Sequence, residues 1–183
     1  MAFPLFRRTD SGGTIASLYG AIVAQARQPF FYTTCGVPDT AEGRFEMIVL
    51  HVALFFRRVR TEGASGRALG QELFDRFCND MESNLREMGV SDAGVPKKMR
   101  SVGEAFYGRA AAYEGALQSA DRGALAIAVA RNVLGDESAD ADRLAGYIGA
   151  AVDELAAQDI ATLTAGRVHF PEAAAAPAGV RLA

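Results

Sequence analysis

Apolar residues recur at steps of three and four along most of this chain, and no stretch alternates persistently, so the pattern predicts helices and no strands. The first helix runs from about Thr14 to Gln28, with Ile15, Leu18, Tyr19, Ile22 and Val23 inward and Pro29 stopping it. A loop over Phe30–Asp39 leads to a second helix, for which Asp39 is the expected N-cap. Phe45, Ile48, Val52, Phe55 and Val59 form its stripe, and Leu50, Leu54 and Phe56 widen the apolar face until it is nearly continuous. A helix apolar all round belongs at the centre of a bundle.

Gly63 and Gly66 interrupt the chain, and Ser65 is positioned to cap a third helix. That helix carries Leu69, Leu73, Phe77, Met81, Leu85 and Met88 as its inner stripe. Gly89 then suits the positive φ found just past helix ends, and Pro96 opens a fourth helix where a missing amide costs nothing. Met99, Val102, Phe106, Ala110, Tyr113 and Leu117 give it an apolar stripe. Gly103, Gly108 and Gly115 on the same helix each cost about 0.8–1 kcal/mol against alanine. Close helix–helix approach is the expected compensation. Asp121 is the expected cap of a fifth helix, which contains Leu125, Ile127, Val129, Val133 and Leu134 and ends at Gly135. After a polar link over 136–142, Leu144, Ile148, Val152 and Leu155 mark a sixth, extending through Ile160 and Leu163. The fold expected is all-α, a single compact bundle of about six or seven helices. Its helical domain spans 14–170, between a flexible N-terminus over 1–13 and a loosely ordered tail over 171–183.

Half of the 183 residues are hydrophobic and 22% are charged, as in a chain that folds. The formal charge of −3 argues against a general nucleic-acid binder, which needs a basic face. Two distant cysteines, Cys35 and Cys78, make no disulfide framework and suit a reducing compartment. The start, MAFPLFRRTDSGG, has no secretory-signal core, and the longest apolar run, Ile48–Phe56, falls short of the ~20 residues that span a bilayer. No transmembrane segment is expected, and a bacterial cytoplasmic protein is the simplest reading.

Catalytic signatures are sparse. His51 lies in the most apolar helix and His169 near the end, with no His-Glu-x-x-His and no Cys-x-x-Cys, so neither a metal site nor a cofactor is expected. His51 reads as a hydrogen-bonded core histidine, or more sharply, with Phe55, as the lining of a pocket. The glycines at 63, 66 and 70 lack the Lys-Ser/Thr ending of a phosphate loop. Cys78 reads as a small buried hydrophobe, and Cys35, in the loop, as a thiol free to react. Asp136, Glu137, Asp140 and Asp142 resemble half of a magnesium-diphosphate motif, but suit a solvated linker ahead of a helix N-terminus better. One feature runs against local preference: Lys97, Lys98 and Arg100 put positive charge at a helix N-terminus, where the dipole disfavours it. Glu87 and Asp92 are the carboxylates available to neutralise it.

Four stretches carry wording beyond periodicity: HVALFFRRV at 51–59, ELFDRFCNDMESNLREMGV at 72–90, VPKKM at 95–99 and AFYGRAAAYEGAL at 105–117. Together they resemble the ubiquinol–cytochrome c chaperone family, over about Phe45 to Leu134. The resemblance implies an all-helical, non-catalytic protein that holds newly made cytochrome b during assembly of respiratory complex III. It also implies a small co-chaperone and the ribosome as further partners, and work at the inner membrane face. A chaperone for an apolar client must expose apolar surface, and the hairpin of the third and fourth helices is the expected place. Arg86, Glu87, Met88, Lys97, Lys98, Met99, Phe106, Tyr107 and Arg109, with the facing side of the second helix, make up that candidate surface. The competing reading is an all-α carrier of quinone, haem or lipid built around His51. An isoprenoid enzyme ranks last, since paired aspartate-rich motifs are missing, and a helical adaptor with another partner is the bland alternative.

Overall fold

The computed structural model describes residues 11–119, 121, 123–135 and 139–173, and within them every regular element is helical. In chain order these are α1 (Ser11–Ala26), α2 (Pro29–Thr33), α3 (Ala41–Val59), α4 (Gly63–Glu87), α5 (Val95–Gln118), α6 (Ala124–Val129), a π-helical turn (Ala130–Leu134), α7 (Ala139–Ala157) and α8 (Ile160–Thr164).

The apolar girdle of α3 does what its composition requires. Every residue from Glu46 to Phe55 is buried, and α1, α4, α5 and α7 pack around the helix. Its N-cap is Thr40, whose hydroxyl accepts from the Gly43 amide at 3.1 Å; Asp39 turns instead to Arg44, at 2.7 Å. The expected loop before it contains the short helix α2, started by Pro29. It sends Phe31 into the core, and Cys35, in the loop just after it, is fully buried rather than free. Burial pushes its thiol up to about 11, which keeps it from reacting as a thiolate.

The third predicted helix begins at Gly63 rather than at a Ser65 cap. Gly66 is needed close by, because a Cβ there would lie 2.0 Å from the Val59 carbonyl oxygen. At the other end Gly89 takes φ 83° and its amide bonds to the Arg86 carbonyl at 2.9 Å, while the Val90 amide reaches Leu85 at 3.0 Å. This is the two-bond closure expected of a glycine past a helix end. The glycines inside α5 are a different matter. A Cβ at Gly103, Gly108 or Gly115 would meet nothing within 4 Å, so the close helix approach expected there is absent.

Asp121 bonds the Gly123 amide at 2.8 Å in the turn before α6, whose own cap is Gly123. The helix relaxes into the π turn and is closed by Gly135 at φ 83°. Ile127, one of the apolar residues of that helix, is 57% exposed. Asp140 and Asp142 fall in the first turn of α7, and Asp136 and Glu137 lie outside the described residues. The final predicted helix breaks at Gln158, and Asp159 recaps α8 by accepting from the Ala161 amide at 3.1 Å. The ends extend slightly past 14–170. Helix α1 starts at Ser11, the Pro171 carbonyl accepts from Gln25, Ala173 is buried, and 1–10 and 174–183 are outside the described residues.

Candidate binding surface

The stripe of α4 leaves the core as it reaches the hairpin. Leu73 and Phe77 are fully buried, Leu85 is half-buried, and Met88 is 72% exposed. Where it emerges, the first turns of α3, the last turns of α4 and Val102 of α5 enclose a groove of about 700 Å³. Its apolar lining is Phe45, Ile48, Met81, Leu85, Met88 and Val102; exposed Arg27, Glu42, Arg44 and Glu87 border it. Methionine at two places on this wall suits a surface that must adapt to different side chains.

Next to the groove, Arg86 bridges Glu82 at 2.7 Å and also bonds Asp92. Asp92 is therefore engaged, and among the described residues Lys97, Lys98 and Arg100 have no salt-bridge partner. The first turn of α5 holds no acidic residue either. The expected neutralisation is missing, and exposed positive charge remains on the hairpin that also carries Met88.

The other residues of the predicted surface divide. Met99 is half-buried against the core, and Phe106 is 1% exposed, in edge contact with Phe56 at 5.5 Å between ring centres. Phe106 is thus core and presents no surface. Arg109 points inward to a bidentate pair with Glu46, which is itself only 8% exposed. Burial pushes the Glu46 carboxyl up, and the Arg109 guanidinium opposes that. Tyr107 is 63% exposed but faces a second, smaller groove beside the first half of α4, away from Met88. Sequence reasoning included the facing side of the second helix without naming Phe45, Ile48 or Arg44, and it missed Arg27, which follows α1. The signal for the first three was position in the first turns of a helix too apolar to be covered on every side along its whole length.

His51 and Phe55, the proposed pocket pair, are fully buried. His51 Nδ1 donates to the Met47 carbonyl at 2.7 Å, which leaves Nε2 to accept from the Tyr147 hydroxyl at 2.7 Å. Gln25 Nε2 in turn donates to the Tyr147 oxygen and to the Pro171 carbonyl, each at 3.0 Å. The rings of Phe31, Tyr147 and Phe170 enclose the imidazole. Burial drops the His51 pKa to about 4, so it is neutral at physiological pH. With both nitrogens used, His51 ties α1, α3, α7 and the C-terminal segment together and offers no ligand to haem or quinone. Among the described residues no group of three or more His, Cys, Asp or Glu side chains is placed to hold a metal ion, and no helix is long and apolar enough to cross a membrane.

The family model described as Ubiquinol-cytochrome C chaperone matches residues 33–170, from α2 to the segment after α8. The chain belongs to that family. Its fold is that of the crystal structure of the Cbp3 homolog from Brucella abortus, with a TM-score of 0.82 and 36% identity over 91% of this chain and 93% of that one. Among curated relatives, the ubiquinol-cytochrome-c reductase complex assembly factor 1 of Xenopus laevis is 29% identical over 127 residues, 69% of this chain and 63% of that protein. The Mus musculus protein of that name is 28% identical over 69% of this chain and 43% of its own length. The chain thus spans less than two thirds of the curated relatives it matches. The part shared with the family is the helical body that carries both grooves.

Proposed function

We propose that this protein is a non-catalytic assembly chaperone for the ubiquinol–cytochrome c reductase complex and that its client is newly made cytochrome b. Family membership over 33–170 supports the assembly role, since the relatives are named as assembly factors of that complex. The observation that carries the client reading is the groove at the end of α4, where 72% of Met88 is in solvent on the same hairpin that bears unpaired Lys97 and Lys98. An apolar segment of the client lies against Met81, Leu85, Met88 and Phe45. Arg86, Glu87, Lys97 and Lys98 form the charged border, and Met99 backs it. Phe106 and Arg109 act from behind, by holding α5 on α3. The protein works in the bacterial cytoplasm, peripheral to the inner membrane face, where a membrane-protein client emerges; a small co-chaperone and the ribosome are its further partners.

Site-specific photocrosslinking in cells from Met88 and Lys98 tests this. Capture of cytochrome b from both positions, with loss on Lys97→Glu together with Lys98→Glu, is the expected result. Folded protein that captures cytochrome b from neither position removes the groove as the client surface.

A further inference from the structure

The second groove lies about 22 Å along α4 from the first, counting the fifteen residues from Gly70 to Leu85 at the rise of an α-helix. Its volume is about 310 Å³. Phe56, Phe74 and Tyr107 line it, with Arg60, Arg67 and Gln71 around them. Tyr107 packs on Phe74 and Phe106, at 5.8 and 5.5 Å between ring centres, yet leaves 63% of its surface in solvent. A large aromatic side chain held by neighbouring rings and still exposed has the character of an interface anchor, because its ordering cost is already met.

The charge around this recess is one-sided. Arg58 is matched by Glu62 and bonds the Leu155 and Gln158 carbonyls. Glu114 alone answers both Arg57 and Arg60, at 2.5 Å each. Burial disfavours the Glu114 carboxylate, but the two guanidiniums outweigh that and hold its pKa below the ordinary value. Arg67 is exposed and has no salt-bridge partner among the described residues, and the nearby Asp75 accepts from Gln71 at 2.8 Å. Two arginines therefore share one carboxylate at this end and a third, Arg67, has none, in a chain whose overall charge is −3.

We propose that this recess is a second docking site, separate from the client groove, for an acidic segment of a partner protein that also carries an aromatic or aliphatic side chain. The apolar side chain seats on Phe56, Phe74 and Tyr107. Flanking carboxylates pair with Arg67 and with the part of Arg60 that Glu114 leaves free, in the forked geometry that guanidinium groups favour. The recess is concave and aromatic at its floor, which fits a protruding side chain better than the flat face of a bilayer. Because it lies away from Met88, the chaperone can hold its client and this partner together.

The test uses the full chain and a fluorescein-labelled peptide of glutamate, leucine and phenylalanine, with a counterpart carrying lysine in place of glutamate. Fluorescence anisotropy is expected to show binding of the acidic peptide and not of the basic one. Arg67→Glu and Tyr107→Ala are each expected to weaken it about tenfold or more, a change of about 1.4 kcal/mol. Lys97→Glu with Lys98→Glu is expected to leave it unchanged. All four positions are exposed, and circular dichroism melts confirm that each variant is folded. Absence of acidic-peptide binding, or equal binding by the Arg67 and Tyr107 variants, overturns the proposal. So does Arg67-dependent binding to phosphatidylglycerol vesicles without peptide binding, which would make the recess a membrane contact.

Discussion

His51 and Met88 stand at opposite extremes of this molecule. Around His51 every polar atom has a partner: a carbonyl on Nδ1, a hydroxyl on Nε2, and an amide behind that hydroxyl. At the far end of the hairpin, Met88 and the lysines of α5 point their reactive or adaptable groups into water. The first arrangement stabilises, because a buried polar group is costly only when it is left unpaired. The second contributes little to folding and is free to bind. A polar residue in an apolar helix is thus no sign of a ligand site here; the proposed site is where apolar residues fail to be covered.

Removing a partner from the buried side should have the largest effect. Arg109→Ala leaves Glu46 buried without its counter-ion and should cost about 3–5 kcal/mol in urea denaturation. Replacing both residues, Glu46→Leu with Arg109→Met, should recover much of that loss. Equal destabilisation by the double variant would show that the pair does more than neutralise itself.

Acid should work on the same side. His51 has its folded-state pKa lowered from 6.5 to about 4. Above pH 6.5 it is neutral folded or unfolded, so the stability is fully present. As pH falls from 6.5 to 4 only the unfolded chain takes up the proton, and the loss approaches about 3 kcal/mol. The urea midpoint of the native protein should fall over that window more steeply than that of His51→Gln. Parallel curves would mean that the imidazole is not held neutral. Tyr147→Phe, which takes the donor from Nε2 and the acceptor from Gln25, should cost about 1–3 kcal/mol at pH 7.

Smaller changes probe the open side. Gly108→Ala and Gly115→Ala place a methyl group where nothing lies within 4 Å, so each should raise stability by about 0.8–1 kcal/mol. Gly66→Ala, aimed at the Val59 carbonyl oxygen, should lower it; thermal melts of the three variants read the contrast directly. Last, Lys97→Glu with Lys98→Glu should stabilise α5 by about 0.3–1 kcal/mol per residue, since a helix N-terminus favours negative charge. A clear loss of melting temperature in that variant would mean that the lysines serve the fold rather than a partner.

Much of the scaffold was legible residue by residue. The hairpin announced itself through Gly89 and Pro96, because positive φ and a missing amide are properties of single residues. The central place of α3 followed from its girdle of apolar side chains. Less legible were choices between neighbours with similar chemistry, such as Thr40 and Asp39, where the cap fell to Thr40 and Asp39 went to Arg44. The candidate surface was half visible. Met88 read both as part of an inner stripe and as client surface, since a stripe has the same period whether or not another helix covers its end, and Cys35, though in a loop, turned out to be core.

The sequence by itself determined the helical class, the positions of the main turns and the presence of lysines at the start of α5, because periodicity, φ preference and residue identity act over a few residues. Only the tertiary structure decided that His51 meets Tyr147 across 96 positions, that Arg109 turns inward to Glu46, and that Met88 and Tyr107 face two separate grooves. These outcomes depend on which helices lie side by side and where their ends outrun one another. That is set by packing the whole chain at once and leaves no periodic trace in any one segment.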